Sequence, residues 1–188
     1  QAIGNYIPEL KGSNKENMIL VDIMAHRAQK TTWIKFYEKT ITSKAYPSSK
    51  FYQKKPGGAF TTPVAENLYL KDQHVEDIWK DIRESPLRAT REYKYSDLGF
   101  YLIAQLVERM TNKSIDQYMA EEFYQPLGLS SVTYNPWQNT SLSRVPPTEE
   151  DKYFRRQRVH GYVHDMGAAM LGGVSGHAGL FANAQDVA

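Results

Sequence analysis

One amphipathic stretch, residues 91–110, constrains the fold of this chain more strongly than any other part of it. The stretch reads REYKYSDLGFYLIAQLVERM. Its apolar residues recur every three or four positions, which is the repeat of an α-helix that buries one face. They are Leu98, Leu102, Ile103, Leu106, Val107 and Met110. The pattern predicts a helix packed against other elements, and Ser96 or Asp97 would supply its N-cap oxygen.

Other segments carry weaker helical signals. Residues 18–29 and residues 73–85 repeat apolar side chains at helical spacing, and a proline follows the second of them. Residues 114–129 begin at Ser114, a potential cap, and end in a Pro-Leu-Gly sequence. Near the end of the chain, Asn183 is placed to cap the first turn of a further helix. We therefore expect several helices of ordinary length.

Two long stretches without periodicity separate these helices. Residues 42–63 and residues 130–152 each contain three prolines among polar residues. Such composition is typical of loops. The stretch from residue 161 to the end is rich in glycine and alanine, which suits a backbone that packs closely. The predicted fold class is therefore mainly α with little β.

Composition narrows the possible functions. The chain has 188 residues, of which 41% are hydrophobic and 23% charged, as in globular domains. A net charge of +2 does not indicate a nucleic-acid partner, and we interpret the basic run at 153–160 as a solvated face. The chain has no cysteine, which excludes disulfides and thiolate chemistry. Residues 1–10 do not resemble a signal peptide, and no apolar run is long enough to span a membrane. Both ends of the sequence look cut, so we expect a piece of a longer protein.

Tyr95 is the first candidate for chemistry. A tyrosine acts as a general base only when its phenolate is stabilised, because its free pKa is about 10. A helix N-terminus or a nearby ammonium group, such as that of Lys94, would provide this stabilisation. The alternative is an aromatic side chain that simply packs on the start of the helix. The residue pattern alone leaves both interpretations open.

Histidines and carboxylates offer further candidates. His164, Asp165 and His177 are compatible with a triad, but their spacing does not match helical zinc motifs. His177 lies in a Gly-His-Ala-Gly sequence, where it either points into a cleft or stabilises a turn through the backbone. His26 is interpreted as a capping or packing residue. The acidic residues 149–151 are expected to cap a helix or to lie in solvent.

Three segments taken together resemble one family. They read YIPELKGSNKENMILVDIMAHRAQ, YKYSDLGFYLIAQLVERMTNKSIDQYMAEEFYQPLGLSSV and GGVSGHAGLFANAQDVA. These are similar to regions of the serine β-lactamase-related hydrolases, which include class C β-lactamases, penicillin-binding DD-peptidases and related esterases. The stretch VPPTEEDKYFRRQRVHGYVHDMGAAMLGGVSGHAGLF is similar to the branch fused to glycoside hydrolases of family 3, which are β-N-acetylhexosaminidase-like. The resemblance covers nearly the whole chain and implies the helical lobe of the α+β β-lactamase/penicillin-binding fold.

The resemblance also implies roles for particular residues. In this family a serine of a Ser-x-x-Lys motif attacks a carbonyl, and the tyrosine of a Tyr-x-Asn motif helps to move its proton. The chain has Tyr95 at the tyrosine, Ser96 at the variable position and Asp97 where the family has asparagine. Tyr95 and Asp97 are the expected catalytic residues, and Ser96, His177 and Gly179 are expected to bind the substrate or to line the cleft. His177 is not assigned to the family's third motif, because it lies upstream of the strand that carries that motif.

The nucleophile is expected outside this chain. No Ser-x-x-Lys sequence occurs in it. Thr32 and Lys35 have that spacing with threonine, but they follow the Pro-Glu turn that the family's nucleophile precedes. We therefore expect residues 1–188 to be the middle portion of a domain, inactive alone, with the nucleophile and third motifs on either side. An ionised Asp97 cannot donate a hydrogen bond as asparagine does, which counts against β-lactamase activity itself.

The sequence thus predicts part of a serine hydrolase that forms an acyl-enzyme. Its expected substrate is a small acyl or peptidoglycan-related compound, and its parent would be periplasmic or exported, with a glycoside hydrolase domain possible beside it. No metal, organic cofactor, nucleic acid or membrane span is implied. One alternative is a non-catalytic cell-wall-binding or accessory module attached to a glycosidase. Another is an independent helical interaction domain.

Overall fold

The computed structural model describes residues 1–188 and shows an α+β fold. Helical residues account for 35% of the chain and extended residues for 15%, and the strands form three small antiparallel sheets. The prediction of a mainly α fold with little β is therefore wrong. The α-helices are α1 Leu20–Met24, α2 Gln73–Glu84, α3 Leu98–Thr111, α4 Ile115–Met119, α5 Met166–Ala169 and α6 Ala184–Val187. The strands are β1 Tyr52–Gln53, β2 Thr62–Ala65, β3 Leu68–Leu70, β4 Thr133–Tyr134, β5 Pro147–Glu150, β6 Arg158–His160 and β7 Leu180–Phe181.

Four of the seven strands, β1, β2, β4 and β5, begin in stretches that were predicted to be loops. The central strand β3 pairs with both β1 and β2, and its Leu70 faces Tyr52 on one side and Thr62 on the other. The other sheets are the pairs β4–β7 and β5–β6. Each strand has only two to four residues, so it is too short to show an alternating pattern in the sequence. The prolines within them also argue against strands on sequence grounds.

The two longest helices agree with the prediction, except that Met110, which was predicted on the apolar stripe of α3, is 65% exposed. α2 buries His74, Ile78 and Ile82 on one face, and the helix ends ahead of Pro86. α3 ends at Thr111, and the following Asn112 has a φ of 55°, the left-handed conformation common after a helix. Neither helix is long and apolar enough to cross a lipid bilayer, and the same holds for the shorter helices.

The shorter helices differ from the prediction. The helix expected at 18–29 covers only Leu20–Met24, because His26 and Gln29 have positive φ angles and turn the chain. The segment after Ser114 is α4 followed by a π-helical turn, and the Ser114 side chain caps nothing. Glu108 of α3 instead accepts the Ile115 N–H at 3.0 Å. Asn183 caps α6 as predicted, since its side chain accepts the Asp186 N–H at 2.8 Å.

A single hydrophobic core joins these elements. Its 22 buried residues come from the N-terminal turns, α1, α2, α3, the three-stranded sheet and the segment around α5. The completely buried ones include Ile3, Ile7, Val64, Leu70, Ile78, Ile82, Leu98, Phe154 and Met170. Because α3 lies within this core, its N-terminus is held at a defined place.

A buried ion pair stabilises the β5–β6 hairpin. Asp151 accepts hydrogen bonds from three backbone N–H groups and from Arg155 Nε at 2.8 Å. The Arg155 guanidinium also donates to Glu149 and to the carbonyl oxygens of Val163 and His164. The interpretation of the basic run as a solvated face is therefore wrong at Arg155, whose side chain has no exposed surface. Its carboxylate partners and buried carbonyls compensate the charge.

Candidate active site

The Tyr-Ser-Asp motif immediately precedes α3 and is fixed by three hydrogen bonds to one segment. Ser96 Oγ donates to the Thr31 carbonyl oxygen at 2.6 Å, and the Ser96 N–H donates to His26 Nδ1 at 3.1 Å. The Asp97 N–H donates to the Thr32 carbonyl oxygen at 2.9 Å. Neither Ser96 nor Asp97 caps α3 with its side chain, so that prediction is wrong. Ser96 instead binds a partner 65 residues away.

Tyr95 is both packed and accessible. Its ring lies 4.6 Å from the His26 ring, centroid to centroid, and Tyr93 and Phe100 contact the same imidazole. The predicted packing role of His26 is confirmed. The Tyr95 side chain is nevertheless 58% exposed. Its ring thus packs on the His26 imidazole, and its hydroxyl makes no hydrogen bond within the chain.

His177 belongs to a chain of three hydrogen-bonded side chains. Its Nδ1 lies 2.9 Å from Ser175 Oγ, and its Nε2 lies 2.9 Å from Asp165 Oδ1. The ring also stacks on Tyr101 of α3, with centroids 4.2 Å apart. The His177 side chain is only 5% exposed and bonds to side chains, not to the backbone. Its role as a cleft-lining residue stays a prediction.

Asp165 has two tasks in this arrangement. It accepts the Ala168 N–H at 2.7 Å as the N-cap of α5, and it holds His177. Burial would raise the pKa of Asp165, but the hydrogen bonds from His177 and Ala168 outweigh burial and hold that pKa below its usual range. His164 points elsewhere, since its Nδ1 lies 3.1 Å from the Thr148 carbonyl oxygen. The predicted grouping of His164 with Asp165 and His177 is thus not formed.

Asp97 is half-buried, and no side chain or backbone group of the chain donates a hydrogen bond to its carboxyl group. Burial raises its pKa; His177 opposes the rise, the Asp165 carboxylate adds to it, and His26 opposes it. Two carboxyl groups and two imidazoles therefore influence one another at the start of α3.

Glycines bring the two parts of the site together. A Cβ atom on Gly176 would lie 2.3 Å from the Phe100 carbonyl oxygen, so only glycine lets this turn pack against α3. Gly179 has a φ of 120°, and a Cβ there would lie 2.3 Å from the Gly173 carbonyl oxygen. Gly179 therefore supports the fold of the turn itself, and its predicted place in a cleft stays a prediction. The result is a glycine-rich turn that presses His177 onto the helix carrying the motif.

The remaining candidates, Thr32 and Lys35, do not act together at this site. Lys35 pairs with Glu38 at 3.1 Å on the surface, whereas Thr32 contributes its carbonyl oxygen to Asp97. The two do not form a nucleophile pair. The structure contains no group of three or more histidine, cysteine or acidic side chains that could hold a metal ion.

Three residues at the site, Ser175, Tyr101 and Lys30, had no signal in the sequence, whereas Asp165 was already a candidate. Ser175 and Tyr101 gave no signal of their own, because serine and an apolar-face tyrosine are common in turns and helices. The Asp165 cap had a signal, namely an aspartate directly before Met-Gly-Ala-Ala. Lys30 had none; it is buried beside the motif, and its Nζ donates to Met18 Sδ at 3.1 Å.

Comparison with known proteins places this geometry in a family. The family model described as Beta-lactamase matches residues 1–188. N-acetylmuramyl-L-alanine amidase of Bacillus subtilis (strain 168) is 28% identical over 208 residues, covering 100% of this chain and 42% of the relative. A putative D-alanyl-D-alanine carboxypeptidase of Escherichia coli (strain K12) is 34% identical over 139 residues, covering 66% of this chain and 32% of the relative. The chain thus spans less than half the length of these relatives.

A solved structure agrees at the level of the fold. The octameric penicillin-binding protein homologue from Pyrococcus abyssi is similar with a TM-score of 0.56 at 13% identity, covering 100% of this chain and 36% of that chain. A likeness at this identity shows the fold alone. The family match over the whole chain shows that the chain belongs to the β-lactamase family, a family of serine hydrolases.

Proposed function

We propose that residues 1–188 are the middle portion of a serine hydrolase domain that cleaves an acyl or amide bond in a peptidoglycan-related substrate through an acyl-enzyme. The two curated relatives are named as an amidase and a carboxypeptidase, which supports this substrate class. The Ser-x-x-Lys sequence is absent from the chain, so the nucleophile would come from the rest of the parent domain. The chain alone would then be inactive.

The exposed side chain of Tyr95, on a backbone held by the hydrogen bonds of Ser96, carries the proposal. A group that transfers a proton must be held within hydrogen-bond reach of the reacting atom, and its support must not move. The bonds of Ser96 to Thr31 and His26 hold the backbone next to Tyr95, and the His26 ring supports the phenol. We assign Tyr95 the transfer of the nucleophile's proton. Asp97 would lie in the same site, and the hydrogen bonds of Ser96 to Thr31 and His26 would hold the motif in place.

Two proteins test the assignment: this chain, and a version extended through the nucleophile and third motifs. Intact mass after treatment with a fluorophosphonate should show labelling of the extended protein alone. In the extended protein, Tyr95→Phe should lower acyl turnover by on the order of 10²–10⁴, as expected for loss of a general acid–base group. Tyr93→Phe is the matched control, because Tyr93 is exposed and also contacts His26.

Each contrary result has a defined meaning. Turnover that survives Tyr95→Phe unchanged would refute the proton-transfer role. Labelling of the short chain would place the nucleophile within residues 1–188 and overturn the proposed division of the domain. Equal losses in Tyr95→Phe and Tyr93→Phe would point to a packing effect on His26.

A second candidate is a non-catalytic wall-binding module attached to a glycoside hydrolase domain. Asp97 favours it, because an ionised carboxylate at this position donates no hydrogen bond and repels a neighbouring phenolate. In either case we propose that the parent is exported, because the substrate of the hydrolase and the ligand of the module both belong to the cell envelope. An extended protein that resists the fluorophosphonate but sediments with isolated peptidoglycan would support the module. Cell fractionation of the parent would test its export.

A further inference from the structure

Two buried lysines of this chain have no carboxylate partner. The Lys15 side chain has no exposed surface, and its ammonium group donates to Asn14 Oδ1 at 2.7 Å and to the Ser85 carbonyl oxygen. Lys30 is 4% exposed, and its ammonium group donates to Met18 Sδ at 3.1 Å. Neither lysine takes part in a salt bridge. Two ammonium groups are therefore kept out of water without an anion to compensate them, which costs stability.

A pocket lies on the far side of the residues that these lysines contact. Asn14 and Met18 both line it, so each ammonium group lies one side chain behind the pocket wall. Arg27 and Arg91 line the same pocket, and Asp22 is the only acidic residue among those that line it. Four cationic side chains are thus placed at or directly behind this pocket, and one carboxylate opposes them.

The two arginines have donors to spare. Arg91 Nε donates to Gln29 Oε1 at 3.3 Å, which orients the side chain and leaves its terminal nitrogens free. Arg27 is exposed and takes part in no salt bridge. Guanidinium groups bind phosphates and carboxylates through paired N–H donors. The pocket therefore offers the donors and the charge that an oxyanion requires.

The size of the pocket limits the ligand. Its volume is about 130 Å³. That is several times the roughly 30 Å³ that one water molecule occupies in the liquid, and well below the roughly 300 Å³ at which pockets begin to hold drug-sized ligands. A small oxyanion fits such a space, whereas a sugar ring with its substituents or a peptide does not.

We propose that this pocket binds a tetrahedral oxyanion, such as a phosphate group, between Arg27 and Arg91 and in the field of the Lys15 and Lys30 ammonium groups. The site is separate from the proposed hydrolysis and does not depend on it. A dianion matches four cationic side chains better than a carboxylate does. Bound there, it would favour the charged forms of both lysines and offset the cost of burying them.

Calorimetric titration of this chain with sodium sulfate at about pH 7.5 tests the site. Sulfate should bind saturably at one site with a Kd of about 1 mM or lower, and sodium chloride at equal ionic strength should not. Arg27→Gln should weaken sulfate binding at least about tenfold. Arg88→Gln is the matched control, because Arg88 lies outside the pocket and donates to the Glu92 carbonyl oxygen and to Thr90. It removes the same charge and should weaken binding by less than about threefold.

The part played by the lysines has its own readout. Burial lowers the pKa of Lys15 to about 8 and that of Lys30 to about 7, so both are partly neutral near pH 7.5. Sulfate carries no proton at this pH, and its binding should therefore draw protons onto the protein. Titrations in buffers of different ionisation enthalpy measure this uptake. Lys30→Met should still bind sulfate but take up fewer protons.

Competition identifies the source of the oxyanion. Displacement of sulfate by inorganic phosphate alone would assign the site to the free anion, and displacement by glycerol 3-phosphate as well would extend it to phosphate esters. Displacement by neither overturns the proposal. So does the absence of saturable sulfate binding, or an equal loss of affinity in folded Arg27→Gln and Arg88→Gln. Binding without proton uptake would overturn the part assigned to the buried lysines.

Discussion

Replacing Lys30 by methionine should stabilise the folded chain at neutral pH, and the gain should fade as the pH rises. Lys30 is only 4% exposed, and its ammonium group has a single acceptor, the Met18 sulfur at 3.1 Å. Burial, with a smaller contribution from the nearby Lys15 ammonium, lowers the pKa of Lys30 to about 7. The folded state therefore binds this proton far more weakly than the unfolded state does.

The sign and size of the effect follow from that difference. An unfolded lysine has a pKa of about 10.4, so between about pH 7 and about pH 10 the unfolded chain holds more protons on this residue. Stability must then rise with pH across this window. At about 1.4 kcal/mol per pKa unit, Lys30 reduces the free energy of unfolding by on the order of 4 kcal/mol near pH 7, about 2 kcal/mol near pH 9 and less than about 1 kcal/mol near pH 10. Methionine fills similar space without a charge.

Urea unfolding followed by fluorescence of the three tryptophans would measure this between about pH 6 and about pH 10. The difference between Lys30→Met and the unsubstituted chain reports on Lys30 together with its smaller electrostatic coupling to Lys15. Lys44→Met is the control, since Lys44 is exposed and makes no ion pair, and it should give no gain that depends on pH. A Lys30→Met gain that is constant over the whole range would refute the argument that burial of the charge is what destabilises the fold.

Two further substitutions test the packing around the site. Arg155→Met should lower the free energy of unfolding in urea by about 3–5 kcal/mol, because Asp151 would remain buried without its cation. The control Arg156→Met, at an exposed arginine, should lower it by under about 1 kcal/mol. Equal losses in the two variants would contradict the reasoning. Gly176→Ala should cost about 1–3 kcal/mol or more, because its Cβ would meet the Phe100 carbonyl oxygen at 2.3 Å. Gly12→Ala should destabilise the chain less than Gly176→Ala does, because Gly12 has a φ of 74° but no atom within 4 Å of an added Cβ. If thermal melts show the larger loss of stability in Gly12→Ala, close packing at Gly176 is not the cause.

The pattern of neighbouring residues was sufficient to predict the two long helices, which depend mainly on interactions within one segment. The apolar repeat of α3 and the proline after α2 identify both helices, because a long amphipathic segment has few alternatives. The same reasoning fails for helices of four or five residues, in which a single turned residue such as His26 ends the pattern. It also fails for strands of two to four residues, whose pairing partners are decided by tertiary contacts.

The candidate site shows the same division. Tyr95, Ser96 and Asp97 are adjacent in the sequence and are readable as a motif. Ser96 was expected to cap its own helix, since serine before a helix usually does so. In the structure the Ser96 hydroxyl instead donates to the Thr31 carbonyl oxygen, because the turn at 26–32 brings that oxygen within 2.6 Å. No rule based on neighbouring residues could choose between these acceptors.

The position of the motif therefore depends on two segments that the motif does not contain. On one side, the 26–32 segment fixes Ser96 and supports Tyr95 through His26. On the other, the glycine-rich turn presses His177 against Tyr101 one helical turn beyond Asp97. Both contacts converge on the N-terminus of α3, whose apolar face is anchored in the core by Leu98, Leu102 and Leu106. Because α3 is the shared rigid element, a change such as Gly176→Ala can displace Asp97 without touching it. The chemistry of the site and the packing of the helix are, for this reason, set by the same contacts.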